Sequence, residues 1–337
     1  LRYAGDLDTI RAKKVLRLLT RNNSSSYFVA NGQERGFQYE LAKSFADSLG
    51  VRLTMIVPAS RSELEEALLA GEGDLIAAGT TITSTRAARL HLSPPLRRAR
   101  RVVVVPAQAR APRTPAELRG LPIHVSFRST TADTLRALEP SLGFALTLVD
   151  VEDDVEMEEM ITRVAAGDYP ATLVDEDIVA LAIASGAPVK ATLSVGEPLA
   201  KGWVVRPDAP QLAAAVDAFV NEHARGGLVK IYYDRYFKRP RGSRAAYRAD
   251  RAGRISRWDE LFQAEARAVG MDWRLLAAIA FAESRFDPTA HSPWGAVGLM
   301  QVLPSTAREH GIEELTDPAQ NIRAGARHYK YLVDRFD

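Results

Sequence analysis

The first two thirds of the chain alternate between short apolar runs and longer amphipathic segments. The clearest amphipathic segment is 36–50, where an apolar side chain recurs at every fourth position and Gly50 ends the pattern, as in a helix. Apolar runs predict strands at 14–19, 51–58, 75–79, 101–107, 121–127, 144–151, 171–175 and 202–210. Periodic segments predict further helices at 61–74, 114–120, 129–138, 155–168, 177–186 and 211–227.

This alternation predicts an α/β fold, because strands joined through helices pair in parallel. Two similar halves and a late return strand indicate two lobes around a cleft. We place the whole two-lobed domain at 1–240. Its first lobe is predicted at 1–102 and 197–240, and its second lobe at 103–196.

The composition changes near residue 238, where Pro, Gly, Ser and several Arg replace the apolar periodicity. This change predicts a linker over 241–254. Beyond the linker, helical patterns occur at 255–270, 272–286, 303–311 and 318–336. The sequence therefore predicts a second, all-α domain over 255–337.

The chain of 337 residues is nearly balanced in charge, with 44 Lys+Arg against 42 Asp+Glu, which argues against a nucleic-acid partner. We interpret its local arginine run as a solvated face; the run comprises Arg97, Arg98, Arg100 and Arg101. The absence of Cys excludes disulfides and thiolate catalysis. The six His lack the spacing of metal ligands, so we predict no metal and no cofactor.

Two segments of the first domain carry a resemblance: GFQYELAKSFADSLG (36–50) and LEEALLAGEGDLIAAGTTITSTRAARLHLSPPL (64–96). Over roughly 12–238 the chain resembles the family 3 periplasmic solute-binding proteins. The resemblance implies the two-lobed periplasmic-binding-protein fold, with an amino acid or muropeptide bound in the cleft.

The chemistry of such a ligand suggests which side chains bind it. An α-carboxylate is matched by the guanidinium of Arg86, and an α-ammonium by Asp175 at the end of a strand. Tyr27 or Phe28 could pack on the ligand side chain. Alternatively, Arg86 caps a helix at the surface and Asp175 is the N-cap of 177–186. The ligand set, completed from the resemblance and the hydroxyl run after Arg128, also includes Gly79, Thr81, Ser129, Thr130 and Thr131.

One carboxylate stands out in the second domain. Glu283 follows Leu276 and Ala280 on one stripe of the predicted helix 272–286. We expect burial and the helix dipole to favour its protonated form, as a general acid requires. The alternative is an exposed Glu at a frayed helix end.

The segment that begins at Glu283 reads ESRFDPTAHSPWGAVGLMQVLPSTA, and DPAQNIRAGARHYKYL follows at 317–332. Over roughly 257–337 the chain resembles the lysozyme-like soluble-lytic-transglycosylase domain. The resemblance implies that Glu283 is the catalytic acid. It also implies that substrate contacts come from Ser284, Gly298, Leu299, Met300 and Gln301. The alternatives are core packing for Met300 and hydrogen bonding within the loop for Ser284 and Gln301. The family carries a further A-Y-N-x-G motif, and this sequence ends at Asp337 before it, so we expect this domain to be partial.

The order of the two domains resembles the membrane-bound lytic murein transglycosylase F family. It implies cleavage of the MurNAc–GlcNAc bond of peptidoglycan strands to a 1,6-anhydromuramoyl product, under regulation by the cleft ligand. It also implies a periplasmic location at the outer membrane through a lipid anchor, whose Cys this sequence does not contain. Two alternatives stay open: a solute-binding protein with a degenerate helical domain, and a scaffold that binds the cell wall without cutting it.

Overall fold

The computed structural model describes residues 3–30, 33–224, 227–238, 255–292 and 294–336. The chain divides into two units, the first comprising Leu1–Phe28 and Arg35–Tyr247, the second Val29–Glu34 and Arg248–Asp337. The predicted linker 241–254 lies outside the described residues.

The strands are β1 (Val15–Leu19), β2 (Phe28–Ala30), β3 (Gln33–Arg35), β4 (Arg52–Ile56), β5 (Leu75–Thr81), β6 (His91–Leu92), β7 (Arg97–Pro106), β8 (Ile123–Val125), β9 (Leu148–Asp150), β10 (Ala171–Asp175) and β11 (Val189–Val205). The helices of the first unit are α1 (Leu7–Lys13), α2 (Phe37–Ser48), α3 (Glu63–Leu69), α4 (Ser84–Ala87), α5 (Thr130–Arg136), α6 (Glu139–Leu142), α7 (Met157–Ala166), α8 (Glu176–Ala184), α9 (Pro210–Ala224) and α10 (Leu228–Tyr233). A 3₁₀ turn over Pro115–Leu118 replaces the helix predicted at 114–120.

The sheet of the first unit confirms the predicted α/β fold. Its strand order is β4-β1-β5-β11-β7-β10-β8-β9, and β6 pairs with β11. Strands β1, β4 and β5 are parallel, as are β8, β9 and β10. The long strands β7 and β11 run antiparallel between these two groups and join them. Of the predicted return strand 202–210, only residues 202–205 are strand, and they form the end of the longer β11 that passes through both lobes.

Each lobe buries its own apolar side chains. In the first lobe, Trp203 stacks on Phe219 with ring centroids 5.9 Å apart, and Phe45 packs against both. The second lobe buries valine side chains on both faces of β7, which accounts for its continuous apolar run.

A buried ion pair joins the start of β5 to β1. Arg17 and Asp74 approach to 2.6 Å, and Asp74 also accepts the backbone N–H of Arg17 at 2.9 Å. The remaining guanidinium donors reach the carbonyl oxygens of Gly71 and Tyr3 at 2.7 and 2.9 Å. Because both charges are fully hydrogen-bonded, the pair fixes the register of two strands that end at the cleft.

The second unit contains the helices α11 (Asp259–Val269), α12 (Trp273–Ser284), α13 (Pro304–Glu309) and α14 (Pro318–Phe336). Its core gathers Phe262, Leu276, Leu299 and Ile322. A β2–β3 segment, Val29–Glu34, belongs to this unit, and Val29 packs against its core. The second unit therefore includes a short segment from within the predicted domain 1–240.

We expect Asp74→Ala to lower the free energy of unfolding by about 3–5 kcal/mol, because it leaves Arg17 buried without its partner. Asp47→Ala is the matched control, since its ion pair with Lys43 is exposed and contributes about 0.5 kcal/mol or less.

Chemical denaturation of both variants in a background in which Trp258, Trp273 and Trp294 are replaced by Phe, followed through the fluorescence of Trp203, measures both losses. Equal losses in the two variants would contradict this account.

Candidate functional site

A cavity of about 250 Å³ opens in the first unit. Seven residues of the predicted ligand set line it: Gly79, Thr81, Arg86, Ser129, Thr130, Thr131 and Asp175. Tyr27 and Phe28 are not among the residues that line the described cavity, so their contact with a ligand stays a prediction. Tyr27 packs on Tyr39, and Phe28 is buried against Tyr236. Their aromatic character serves local packing.

Arg86 is held in place by contacts within its own lobe. The hydroxyl of Thr83 caps α4 by accepting the N–H of Arg86 at 3.2 Å. The guanidinium donates to Glu65 at 2.6 Å and to the carbonyl oxygen of Thr81 at 3.0 Å. Arg86 thus lines the cavity, and part of its guanidinium group is already hydrogen-bonded to Glu65. On the opposite lobe, Ser129 caps α5 by accepting the N–H of Thr131.

Asp175 lies at the centre of a buried charged cluster. Its carboxylate is 2.8 Å from Lys201, 3.6 Å from Arg97 and 3.9 Å from Arg101. Burial alone would raise the pKa of Asp175, but the charges of Lys201 and Arg97 hold it below its usual value. Burial lowers the pKa of Lys201 to about 8, against the attraction of Asp175.

The arginine run on β7 divides between two environments. Arg98 and Arg100 are exposed, as predicted for a solvated face. Arg97 and Arg101 instead point inward and line the cavity, with side chains 8% and 1% exposed. Side chains two or four residues apart on a strand lie on the same face. The two-residue period of the strand could therefore have predicted that Arg97 and Arg101 share a face. Sequence reasoning also missed Lys201.

In the second unit, the buried stripe of α12 ends before Glu283. Leu276, Ala277 and Ala280 are fully buried, whereas Glu283 is exposed. The expected burial of its carboxylate is therefore wrong. The helix extends one turn past the apolar core, and the left-handed Arg285 (φ 57°) then turns the chain away. This arrangement leaves the carboxylate accessible to a substrate.

Ser284 joins the end of α12 to the loop that carries the GLMQ sequence. Its hydroxyl lies 2.7 Å from the carbonyl oxygen of Leu299 and 3.1 Å from that of Ala280. Leu299 and Met300 are buried in the core, so the predicted sugar contact by these two side chains is wrong. They anchor the loop, because both side chains pack in the apolar core of the second unit.

Asn321 on α14 holds the same loop, a role that the sequence comparison did not assign. Its side chain accepts the N–H of Met300 at 2.8 Å. It donates to the carbonyl oxygens of Val297 and Leu315 at 2.8 and 2.9 Å. The residue is 1% exposed, so these bonds replace water completely. Gln301 completes the loop by donating to carbonyl oxygens at 2.9 and 3.1 Å, with φ 45°.

Tyr329, also on α14, lies near the exposed carboxylate. Burial and the negative charge of Glu283 both raise the pKa of Tyr329. The phenol therefore stays protonated at neutral pH.

Comparison with known families agrees with this division of the chain. Residues 16–239 match the family described as bacterial extracellular solute-binding proteins, family 3, and 260–337 match the transglycosylase SLT domain. Membrane-bound lytic murein transglycosylase F of Aeromonas salmonicida is 31% identical, over 98% of this chain and 67% of that protein. The protein of the same name from Stutzerimonas stutzeri is 32% identical, over 97% and 68%.

Solved structures with a similar fold are binding proteins. A mutant of ArgBP from T. maritima aligns with a TM-score of 0.61 at 22% identity, over 69% of this chain and 99% of that chain. An amino acid ABC transporter substrate-binding protein from Streptococcus pneumoniae also gives 0.61, at 20% identity, over 69% and 97%. At these identities the likeness establishes the two-lobed fold. Separately, no helix among the described residues is long and apolar enough to cross a membrane.

We expect Gly298→Ala to destabilise the second unit by about 3 kcal/mol, because it combines a left-handed backbone with overpacking. The added Cβ would overlap Nδ2 of Asn321. Gly295→Ala is the control, since its φ of 83° matches the 79° of Gly298 but no described atom lies within 4 Å of its Cβ. It should cost only about 1 kcal/mol.

Chemical denaturation followed by tryptophan fluorescence measures this difference, because Trp258, Trp273 and Trp294 all belong to the second unit. Equal destabilisation by the two substitutions would show that the Asn321 contact does not constrain the loop.

Proposed function

This chain belongs to the membrane-bound lytic murein transglycosylase F family, and on that premise we propose a role for each of its two sites. The protein is a peptidoglycan lytic transglycosylase that carries a solute-binding domain. We assign the chemical step to Glu283 and the regulatory ligand to the cavity of the first unit.

The observation that carries the first assignment is an exposed carboxylate on a firmly held helix end. Glu283 adjoins Ser284, whose hydroxyl bonds the GLMQ loop, and that loop is held by Asn321. An accessible carboxyl group on a fixed support is what a general acid needs to reach a substrate oxygen. Ser284 and Gln301, which are both partly exposed, would then form the wall that the glycan strand contacts, whereas Gly298 is buried beneath it.

Most glycosidases use two carboxylates, because a water or a second carboxylate must attack the sugar. In the proposed reaction Glu283 gives its proton to the glycosidic oxygen of the MurNAc–GlcNAc bond as the C1–O bond breaks. The 6-hydroxyl of the same MurNAc attacks C1 and returns its proton to Glu283. The products are a 1,6-anhydromuramoyl end and a free GlcNAc 4-hydroxyl, and one carboxyl group suffices.

The cavity of the first unit would bind an amino acid, free or within a stem peptide, and so regulate turnover. Support comes from its polar lining and from the fold shared with amino-acid-binding proteins. The ligand would act on the second domain through the segment 238–254, of which residues 239–254 lie outside the described residues. The relatives are named membrane-bound, so we place the protein in the periplasm at the outer membrane, held there by a lipid anchor.

Glu283→Gln should reduce release of anhydro-muropeptides from peptidoglycan by at least about 100-fold, because the amide cannot supply the proton. Mass spectrometry of the digest measures it. Glu260→Gln, an exposed substitution on α11, is the matched control and should retain wild-type turnover.

Two results would contradict the assignment in different ways. Anhydro products from Glu283→Gln at the wild-type rate would exclude Glu283 as the acid. No anhydro products from the wild-type protein would favour a binding or scaffold role for the chain.

Arg86→Ala should weaken ligand binding in the cavity by about tenfold or more and remove any effect of that ligand on turnover, since it deletes a charged donor. Arg89→Ala, exposed and outside the described lining, is the control. Calorimetric titration with L-glutamate, L-alanine and their N-acetyl derivatives measures binding. Unchanged affinity for every ligand bound by wild type would place the ligand elsewhere.

A further inference from the structure

We propose that the cavity of the first unit selects carboxylate ligands whose neighbouring carbon carries no free ammonium group. The reason is that the side chain of Lys201 already occupies the ammonium position. This inference rests on the proposed ligand-binding role of the cavity and narrows the class of ligand.

The ammonium group of Lys201 contacts Asp175 and Thr81, two residues that were predicted from the sequence to bind the ligand. It lies 2.8 Å from the carboxylate of Asp175 and 3.2 Å from the hydroxyl of Thr81. Lys201 is 3% exposed, so this placement is part of the interior of the domain. A ligand ammonium would have to displace the ammonium group of Lys201. That group is covalently part of the chain, so it loses little entropy when it stays beside Asp175.

Backbone pairing fixes Lys201 at this point. On β11 it lies opposite Thr81 of β5 on one side and opposite Arg97 of β7 on the other. The side chain therefore emerges between the two strands that border the cavity. A shift of one residue would turn it to the other face of the sheet, so the register determines the position of the charge.

The charge balance of the cluster points to an anionic ligand. Three buried cations, Lys201, Arg97 and Arg101, face two buried carboxylates, Asp175 and Asp177. The difference is one positive charge in a place where uncompensated charge is costly. A ligand ammonium would add a fourth cation, whereas a ligand carboxylate would balance the cluster.

Donors for that carboxylate are present in the cluster. Lys201 has three N–H groups, and two of them point to Asp175 and Thr81. The Nε atom of Arg101 lies 3.9 Å from Oδ1 of Asp175, and both atoms are buried without a hydrogen-bond partner in the described part of the chain. Arg128 lines the cavity with an exposed side chain and has no ion pair among the described residues.

Other carboxylates line the cavity at a different place. Glu156 pairs with Arg21 and Arg61, and Asp153 accepts hydrogen bonds from Ser62 and Ser126. An amine remote from the ligand carboxylate could approach this side without displacing Lys201. The inference therefore concerns only the nitrogen on the carbon next to the ligand carboxylate. This nitrogen must either carry an acyl group or be absent.

Calorimetric titration of the full chain with two matched pairs tests this. The pairs are L-alanine with N-acetyl-L-alanine and L-glutamate with glutarate. In each pair the compound without the ammonium should bind about tenfold or more tightly, the scale expected for a lost charged hydrogen bond. Lys201→Met leaves two cations facing two carboxylates, so this preference should disappear or reverse. Lys201→Arg, which keeps the charge, should retain it.

The wild-type titrations decide the matter even if a variant does not fold. Free amino acids that bind as tightly as their partners would overturn this inference and leave the ligand role of the cavity intact. Binding of none of the four compounds would overturn both. A Lys201→Met protein that folds and keeps the wild-type preference would show that the lysine does not determine it.

Discussion

The antiparallel pairing of β7 with β11 is the constraint on which the first unit depends. These two strands cross both lobes and join two sets of parallel strands that otherwise share no hydrogen bonds. The same pairing gathers Arg97, Arg101 and Lys201 around the end of β10. The paired strands β7 and β11 thus connect the two lobes and also supply the buried positive charges that line the cavity. A change in their register would alter both at once.

The second unit keeps the carboxylate of Glu283 accessible at the edge of a small apolar core. The last turn of α12 passes beyond the buried stripe, so Glu283 stays exposed. The neighbouring loop is fixed from below by buried Asn321 and by the side chains of Leu299 and Met300. Accessibility of the carboxylate and rigidity of its surroundings therefore come from separate groups of residues.

Most of the architecture could be predicted from periodicity, because strands and helices bury their apolar faces locally. The strand 171–175 and the helix 318–336 were predicted to the residue. What failed depends on partners distant in sequence. The burial of Glu283 was judged from its own helix, although burial depends on how far the neighbouring elements extend. Likewise the sequence could not show that Lys201 lies beside Asp175, because the pairing of distant strands brings the two together.

The contribution of Val29–Glu34 to the second unit has a consequence for how separable that unit is. Val29 fills a place in its core, and Glu34 forms an ion pair with Arg285 at 2.9 Å, two residues after Glu283. A recombinant fragment starting at residue 255 would expose the apolar surface that this hairpin covers. It would also release the helix end on which the carboxylate stands. Gene fusions and truncations at the apparent domain boundary would consequently separate a core from one of its own strands.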